Sequence, residues 1–138
     1  MASERLFVDT GGFYALLNRR HASHRKAVRI FKARALKSVL LTTEYVLTET
    51  ATLLRARKLP HLERSFFALL DGTTRLQIVW SSLPFFTRTK EFFLKHQDHG
   101  YSFTDCASFV LMREQGLRDA LSTDKHFKQA GFRSLLKV

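Results

Sequence analysis

The sequence predicts an α/β fold, a three-layer α/β/α sandwich around a central, mainly parallel sheet. Short apolar runs with strand character are separated by long stretches of helical periodicity, the pattern of parallel crossover units. One of them, Val39-Leu40-Leu41-Thr42-Thr43, is branched and apolar without alternation, as a strand buried on both faces requires. The segment after Asp9 is a basic helical stretch with hardly any turn signals, unlike the hairpins of an all-strand fold.

The elements follow in order. Arg5 to Asp9 reads as a short buried strand, and Thr10-Gly11-Gly12 starts a helix through about Arg20, with Phe13, Leu16 and Leu17 at helical spacing. His24 to Lys37 is a second helix, leading into the strand Val39–Thr43. Tyr45 to Arg57 is helical, and Pro60 opens the first turn of a helix ending near Asp71-Gly72. In Arg75 to Trp80, Leu76, Ile78 and Trp80 alternate with Arg75, Gln77 and Val79, the period of a strand. Helices follow from Pro84 onward and from Ser102 to about Gln115. Ala120-Leu121-Ser122 is a short strand, Lys125 to Ala130 a helical turn or two, and Phe132 to Val138 an edge strand.

A chain of 138 residues with 45% apolar composition and thirteen Phe has material for one core. Without a linker or repeat, residues 1–138 are expected to form a single domain. The longest purely apolar runs, such as Phe109 to Met112, are far too short to span a bilayer, and the N-terminus lacks a signal-peptide layout. Cys106 is the only cysteine and has no disulfide partner in the chain, which fits a reducing cytoplasm.

Lys and Arg outnumber Asp and Glu 23 to 12, a net charge of +11 that favours a polyanionic partner. No acid lies between Asp9 and Glu44, an interval that holds Arg19, Arg20, Arg25 and Lys26 among other bases. These four are candidates for nucleic-acid contact; a solvated helix face is the plainer account. The modest apolar stripe of the second helix does not suit a membrane surface.

Asp9-Thr10-Gly11 on its own matches the loop of an aspartic protease. Such a protease is built almost wholly of strands and hairpins, whereas Asp9 leads into a basic helical stretch, and no second motif of that kind follows. In a parallel sheet ligands collect beyond the carboxyl ends of the strands, where Asp9 and Asp124 fall. Asp105 opens the helix that precedes Asp124's strand. Each acid has a structural alternative: Asp9 and Asp124 as N-caps, Asp105 as the acid of a capping box begun by Ser102. Glu49 falls inside the apolar arc of its helix, between Ala56 and Leu53, so its carboxylate is expected to face inward and to need compensation, with an edge glutamate that snorkels or pairs with a nearby Arg as the alternative. Glu44 reads as a helix N-terminal carboxylate facing the dipole. Several carboxylates converging at one end of a sheet repel one another, and a divalent cation removes the conflict. Oxygen ligands suit Mg²⁺ or Mn²⁺, and such a cation activates water for attack on a phosphodiester.

Four segments, "LFVDTGGFYALLN", "LLTTEYVLTETATLL", "YSFTDCASFVLM" and "DALSTDKHFKQAGF", resemble in order and spacing the PIN-domain ribonucleases, especially the VapC-type toxins of toxin–antitoxin pairs. The resemblance covers essentially the whole chain. It implies a metal-dependent endoribonuclease with Asp9, Glu49, Asp105 and Asp124 as the catalytic, metal-binding acids and Thr10, Thr104 and Thr123 beside them. It also implies RNA as substrate, a homodimer and an antitoxin protein as partner. A non-catalytic RNA-binding module of the same fold is the alternative. Among the remaining residues, His126 reads as a surface histidine on a short helix, with phosphate contact as the alternative, and His21 and His24 as parts of a helix start or of the basic face. Cys106, next to Asp105 but without an evident paired His, reads as a small core residue, not a nucleophile, and Phe85, Phe86, Phe92 and Phe93 as core or a dimer surface, with stacking on bases as the alternative.

Overall fold

A computed structural model describes residues 5–136. Strand β1 (Leu6–Val8) is followed by α1 (Thr10–Leu17) and α2 (His24–Lys37), then β2 (Leu40–Thr43) by α3 (Glu44–Ala56) and α4 (Pro60–Gly72). Strand β3 (Leu76–Val79) leads to α5 (Leu83–Lys95) and α6 (Phe103–Gln115), and β4 (Asp119–Leu121) to α7 (Lys125–Gln129) and β5 (Arg133–Ser134). The sheet has the order β3-β2-β1-β4-β5, and every pairing between its strands is parallel.

This order places the site. From β1 the chain steps outward through β2 to β3, then returns across the sheet to β4, on the other side of β1. Right-handed crossovers put helices of the outward leg on one face and those of the return leg on the other. Accordingly α1 packs on α2, α3 and α4, while α5 packs on α6 and α6 on α7. The direction of winding reverses between β1 and β4, and in open parallel sheets ligands collect beyond the carboxyl ends of the strands at such a switch point.

Leu6, Phe7, Val8, Leu40, Ala120 and Leu121 are fully buried, so the central strands carry core residues on both faces. Phe13 of α1 meets Phe66 of α4 edge-on at 5.3 Å, and Phe109 of α6 meets Phe127 of α7 at 5.0 Å, one such cluster in each helical layer. Strand β3 is an edge strand and only half-buried, which explains its alternating pattern; Trp80 beyond it is 61% exposed. The expected edge strand Phe132–Val138 is shorter, Arg133–Ser134, with 137 and 138 outside the described residues. Helix α1 stops at Leu17, short of the expected Arg20, where Asn18 leaves helical geometry and its N–H bonds the Tyr14 carbonyl.

Gly11 and Gly12 lie inside α1, neither with the positive φ of a turn glycine. A Cβ on Gly12 would run into the Leu121 carbonyl, and one on Gly11 into Thr123 Oγ1. Their role is close approach of α1 to the end of β4, which brings Asp9 against the Ser122–Asp124 segment.

Candidate metal centre

Asp9 ends β1 at the N-cap position of α1, yet its side chain makes no capping bond. The β1–β4 register pairs Val8 with Leu121, so Asp9 comes level with Ser122, and the Asp9 N–H bonds the Leu121 carbonyl at 3.1 Å. Ser122 Oγ donates to Asp9 Oδ2 at 2.9 Å and accepts from the Asp124 N–H at 2.9 Å. Asp9 Oδ1 is buried with no hydrogen-bond partner among the described residues. Burial pushes the Asp9 carboxyl up to about 7; the charges of Asp105 and Glu49 add to this, while the Thr10 amide and Ser122 hydroxyl oppose it.

Asp105 lies at the third position of α6 in a full capping box, exchanging bonds with Ser102. Its carboxyl is raised by burial first and by Asp124 second, against the lowering effects of the Ser102 N–H and His126. Asp124 caps α7, accepting from the His126 N–H at 2.9 Å. The structural alternatives therefore hold for Asp105 and Asp124, and both acids still converge. One donor atom each from Asp105, Asp124 and His126 fall within 4.8 Å of one another.

Glu49 differs from the sequence expectation. The buried stripe of α3 is Val46, Leu47, Thr50 and Leu54, and Glu49 stands beside it, exposed. A helical wheel locates an apolar arc but not which part of it β2 and the neighbouring helices cover. Its carboxylate is held by Thr10, whose Oγ1 donates to Oε1 at 2.7 Å. Thr104 lines a pocket next to Glu49, and Thr123 packs against Gly11. The hydroxyl that meets Asp9 is that of Ser122, which sequence reading missed because the contact depends on strand register.

His126 is also misread as a surface residue. Its Nδ1 lies 3.0 Å from Asp105 Oδ2 and 3.4 Å from Asp124 Oδ1, and its ring packs edge-on against Tyr101 at 5.3 Å. The signal was available: the second residue after an N-cap aspartate can fold back over it. Cys106 is buried and its thiol pushed up to about 11, chiefly by burial, which leaves it unreactive. His21 and His24 serve the start of α2, His21 Nδ1 accepting from the Ser23 N–H and His24 Nδ1 lying 2.8 Å from the Ala15 carbonyl.

The four candidate bases are exposed but not drawn to the acids. Arg19 and Arg20 follow α1, whose eight residues carry the chain about 12 Å from Asp9. Arg25 and Lys26 occupy the first turn of α2. Phe85 is buried and Phe92 half-buried between α5 and α6, whereas Phe86 and Phe93 face outward, each against Phe103.

A sheet-end carboxylate with a buried, unpartnered oxygen and three further acids on the neighbouring elements is an oxygen-donor set suited to a hard divalent cation. The PIN-domain sequence pattern matches residues 6–133. The chain belongs to the PIN-domain family. Within it, the chain is 32% identical over 127 residues to the 23S rRNA-specific endonuclease VapC20 of Mycobacterium tuberculosis, covering 92% of this chain and 95% of that protein. The crystal structure of Mycobacterium tuberculosis VapC20, described as a sarcin–ricin loop cleaving toxin, superimposes with a TM-score of 0.81 at 30% identity over 93% of this PIN domain and 96% of the toxin. VapBC2 from Rickettsia felis, solved with a DNA fragment from its promoter, shares the fold at a TM-score of 0.68 and 14% identity, over 91% and 92% of the two chains. Among the described residues of this PIN domain, no helix is long and apolar enough to cross a membrane.

Proposed function

We propose that this PIN domain, as a single domain over residues 1–138, is an endoribonuclease of the VapC toxin type that hydrolyses RNA with Mg²⁺ or Mn²⁺ held by Asp9, Glu49, Asp105 and Asp124. The observation that carries the metal is Asp9 Oδ1, a buried acceptor without a partner among the described residues, on a carboxyl raised first by its burial and further by the charges of Asp105 and Glu49. A divalent cation bound there supplies Lewis acidity toward phosphate and water and balances the clustered charge.

The chain's own residues fix where that chemistry happens. Ser122 holds Asp9 Oδ2 and leaves Oδ1 as the oxygen on offer. Thr10 restrains Glu49, and the capping box and His126 restrain Asp105, so each carboxylate is oriented from behind. The reaction adds water across the P–O3′ bond with the 3′ oxygen departing. No 2′-hydroxyl takes part, so the preference for RNA rests on the relative described as a 23S rRNA endonuclease. Arg19, Arg20, Arg25 and Lys26, set apart from the acids, suit phosphates further along the strand.

The same reading includes a homodimer and an antitoxin partner in a reducing cytoplasm. Leu83, Phe86, Phe93 and Leu94 leave an apolar face on α5 for such contacts. A non-catalytic RNA-binding module explains Asp105 and Asp124, which do cap helices, but not Asp9. Incubation with structured RNA and Mn²⁺ should give discrete cuts that disappear with EDTA and with Asp9→Asn or Asp105→Asn. Cleavage that survives EDTA or both substitutions overturns the mechanism, and salt-sensitive binding without turnover favours the module.

A further inference from the structure

Beside Glu49 a pocket of about 380 Å³ opens between the first turns of α3, the residue Ser81 after β3 and the start of α6. Glu44, Tyr45, Glu49, Ser81 and Thr104 are among the residues that line it; Glu49 on one wall and Thr104, the neighbour of Asp105, join it to the acid centre. The volume lies in the range of small-ligand sites. Tyr45 is fixed in place: its OH lies 3.1 Å from Ser81 Oγ and its ring packs against Phe85 and, edge-on, Phe103. Glu44 is oriented too, its Oε1 accepting the Ser81 N–H at 2.7 Å.

Glu44 has a structural role in the first turn of α3 and on the Ser81 N–H, and it also places an anionic side chain next to a site for a polyanion. It repels phosphate, so it lowers affinity unless it meets hydrogen-bond donors, and the donors of RNA other than 2′-hydroxyls are on the base edges. A carboxylate only accepts. Guanine alone presents two adjacent donors, N1–H and the 2-amino group, that match two carboxylate oxygens. Adenine and cytosine place a ring acceptor beside their amino group, and uracil flanks its single N–H with carbonyls, so each would set a lone pair against Glu44. The capacity left on Glu44 by the Ser81 N–H suffices, because each carboxylate oxygen accepts more than one bond.

We propose that this pocket takes a guanine base of the RNA next to the cleaved phosphate, and that Glu44 selects it. The proposal rests on the ribonuclease reading for its substrate and goes beyond it by naming a base and the residue that reads it. Trp80, the only tryptophan, immediately precedes Ser81 and gives a fluorescence signal for occupancy.

Metal-free protein would be titrated with short uridine-rich RNAs that differ only in carrying G, A, C or U at one position, with Trp80 emission as readout. In parallel, hairpins with randomised loops would be cut with Mn²⁺ and the new ends sequenced. Wild type should bind the G-containing RNA about tenfold or more above the others and should cut beside G. Glu44→Gln keeps an acceptor for Ser81 but offers a mismatched amide; it should lose the preference while binding the other RNAs at least as tightly. Equal binding of all four RNAs, or a preference unchanged in Glu44→Gln, overturns the proposal, as does loss of Mn²⁺ binding in that variant, measured by calorimetry. Cutting without base preference defeats the pocket and leaves the ribonuclease. Guanine binding without any cutting defeats the ribonuclease and leaves the pocket.

Discussion

Asp9, just after β1, and Asp119, which begins the paired strand β4, are both buried carboxylates at opposite ends of the sheet, with 4% and 6% exposure. Asp119, at the amino end, is met by Arg34 at 2.6 Å and by Arg133 at 2.9 Å. Asp9, at the carboxyl end, has one hydroxyl, a bare oxygen and further carboxylates for neighbours. The chain carries 23 basic side chains and so does not lack cations to balance Asp9. It sets Asp9 among other acids at the point where the winding of the sheet reverses. A buried acid answered by arginines is a structural joint, and a buried acid answered by acids reserves room for a ligand.

The contrast breaks most directly with matched substitutions. Asp9→Asn should reduce Mn²⁺-dependent cleavage on the order of 10²–10³-fold while leaving the metal-free fold at least as stable as wild type. Asp119→Asn should do the reverse, retaining most cleavage at low temperature and losing about 2 kcal/mol of stability, a modest loss because Arg133 is largely exposed and its ion pair screened by water. Cleavage rates and urea unfolding on the same preparations check both. If Asp119→Asn costs as much activity as Asp9→Asn, the division between the two ends fails.

A pH series sharpens the same contrast. The Asp9 carboxyl moves from an ordinary 3.8 to about 7, so between those values the folded chain keeps a proton that the unfolded chain has released. The stability contributed by that proton is complete below the lower value and is lost as pH rises through the upper one, by ~4 kcal/mol. Metal-free protein should therefore melt at lower temperature at pH 8 than at pH 5. Mn²⁺ should stabilise it more at pH 8, and Asp9→Asn should remove most of the slope. A metal-free melting temperature that rises across that interval sinks the account.

These particulars show what could be read from the sequence. The strands β1 and β2 and the end positions of Asp9, Asp105 and Asp124 were legible because local apolar runs and helix starts are written in adjacent residues. Glu49's orientation was not, because the packing of β2 and neighbouring helices decides which side of α3 is covered. Ser122 was missed for a related reason: it meets Asp9, 113 positions away, only through parallel register. His126 was within reach, yet its contact with Asp105 needs α6 and α7 placed side by side.

Ser122 itself gives the smallest and most discriminating effect. Its buried hydroxyl faces two ways, donating to Asp9 Oδ2 and accepting the Asp124 N–H, so it ties the carboxyl ends of β1 and β4 together. Ser122→Ala removes both bonds and leaves an acceptor and a donor without this partner, a loss of about 1–3 kcal/mol. Freed from Ser122, Asp9 no longer presents a single oxygen, and cleavage should fall by about tenfold. Ser122→Thr keeps the hydroxyl and should recover part of both. The decisive measurement is the double substitution: in an Asp9→Asn background, Ser122→Ala should cost little further activity, because its catalytic effect runs through Asp9. Independent, multiplicative losses would show that Ser122 acts through Asp124 instead, and that the two strand ends are positioned separately.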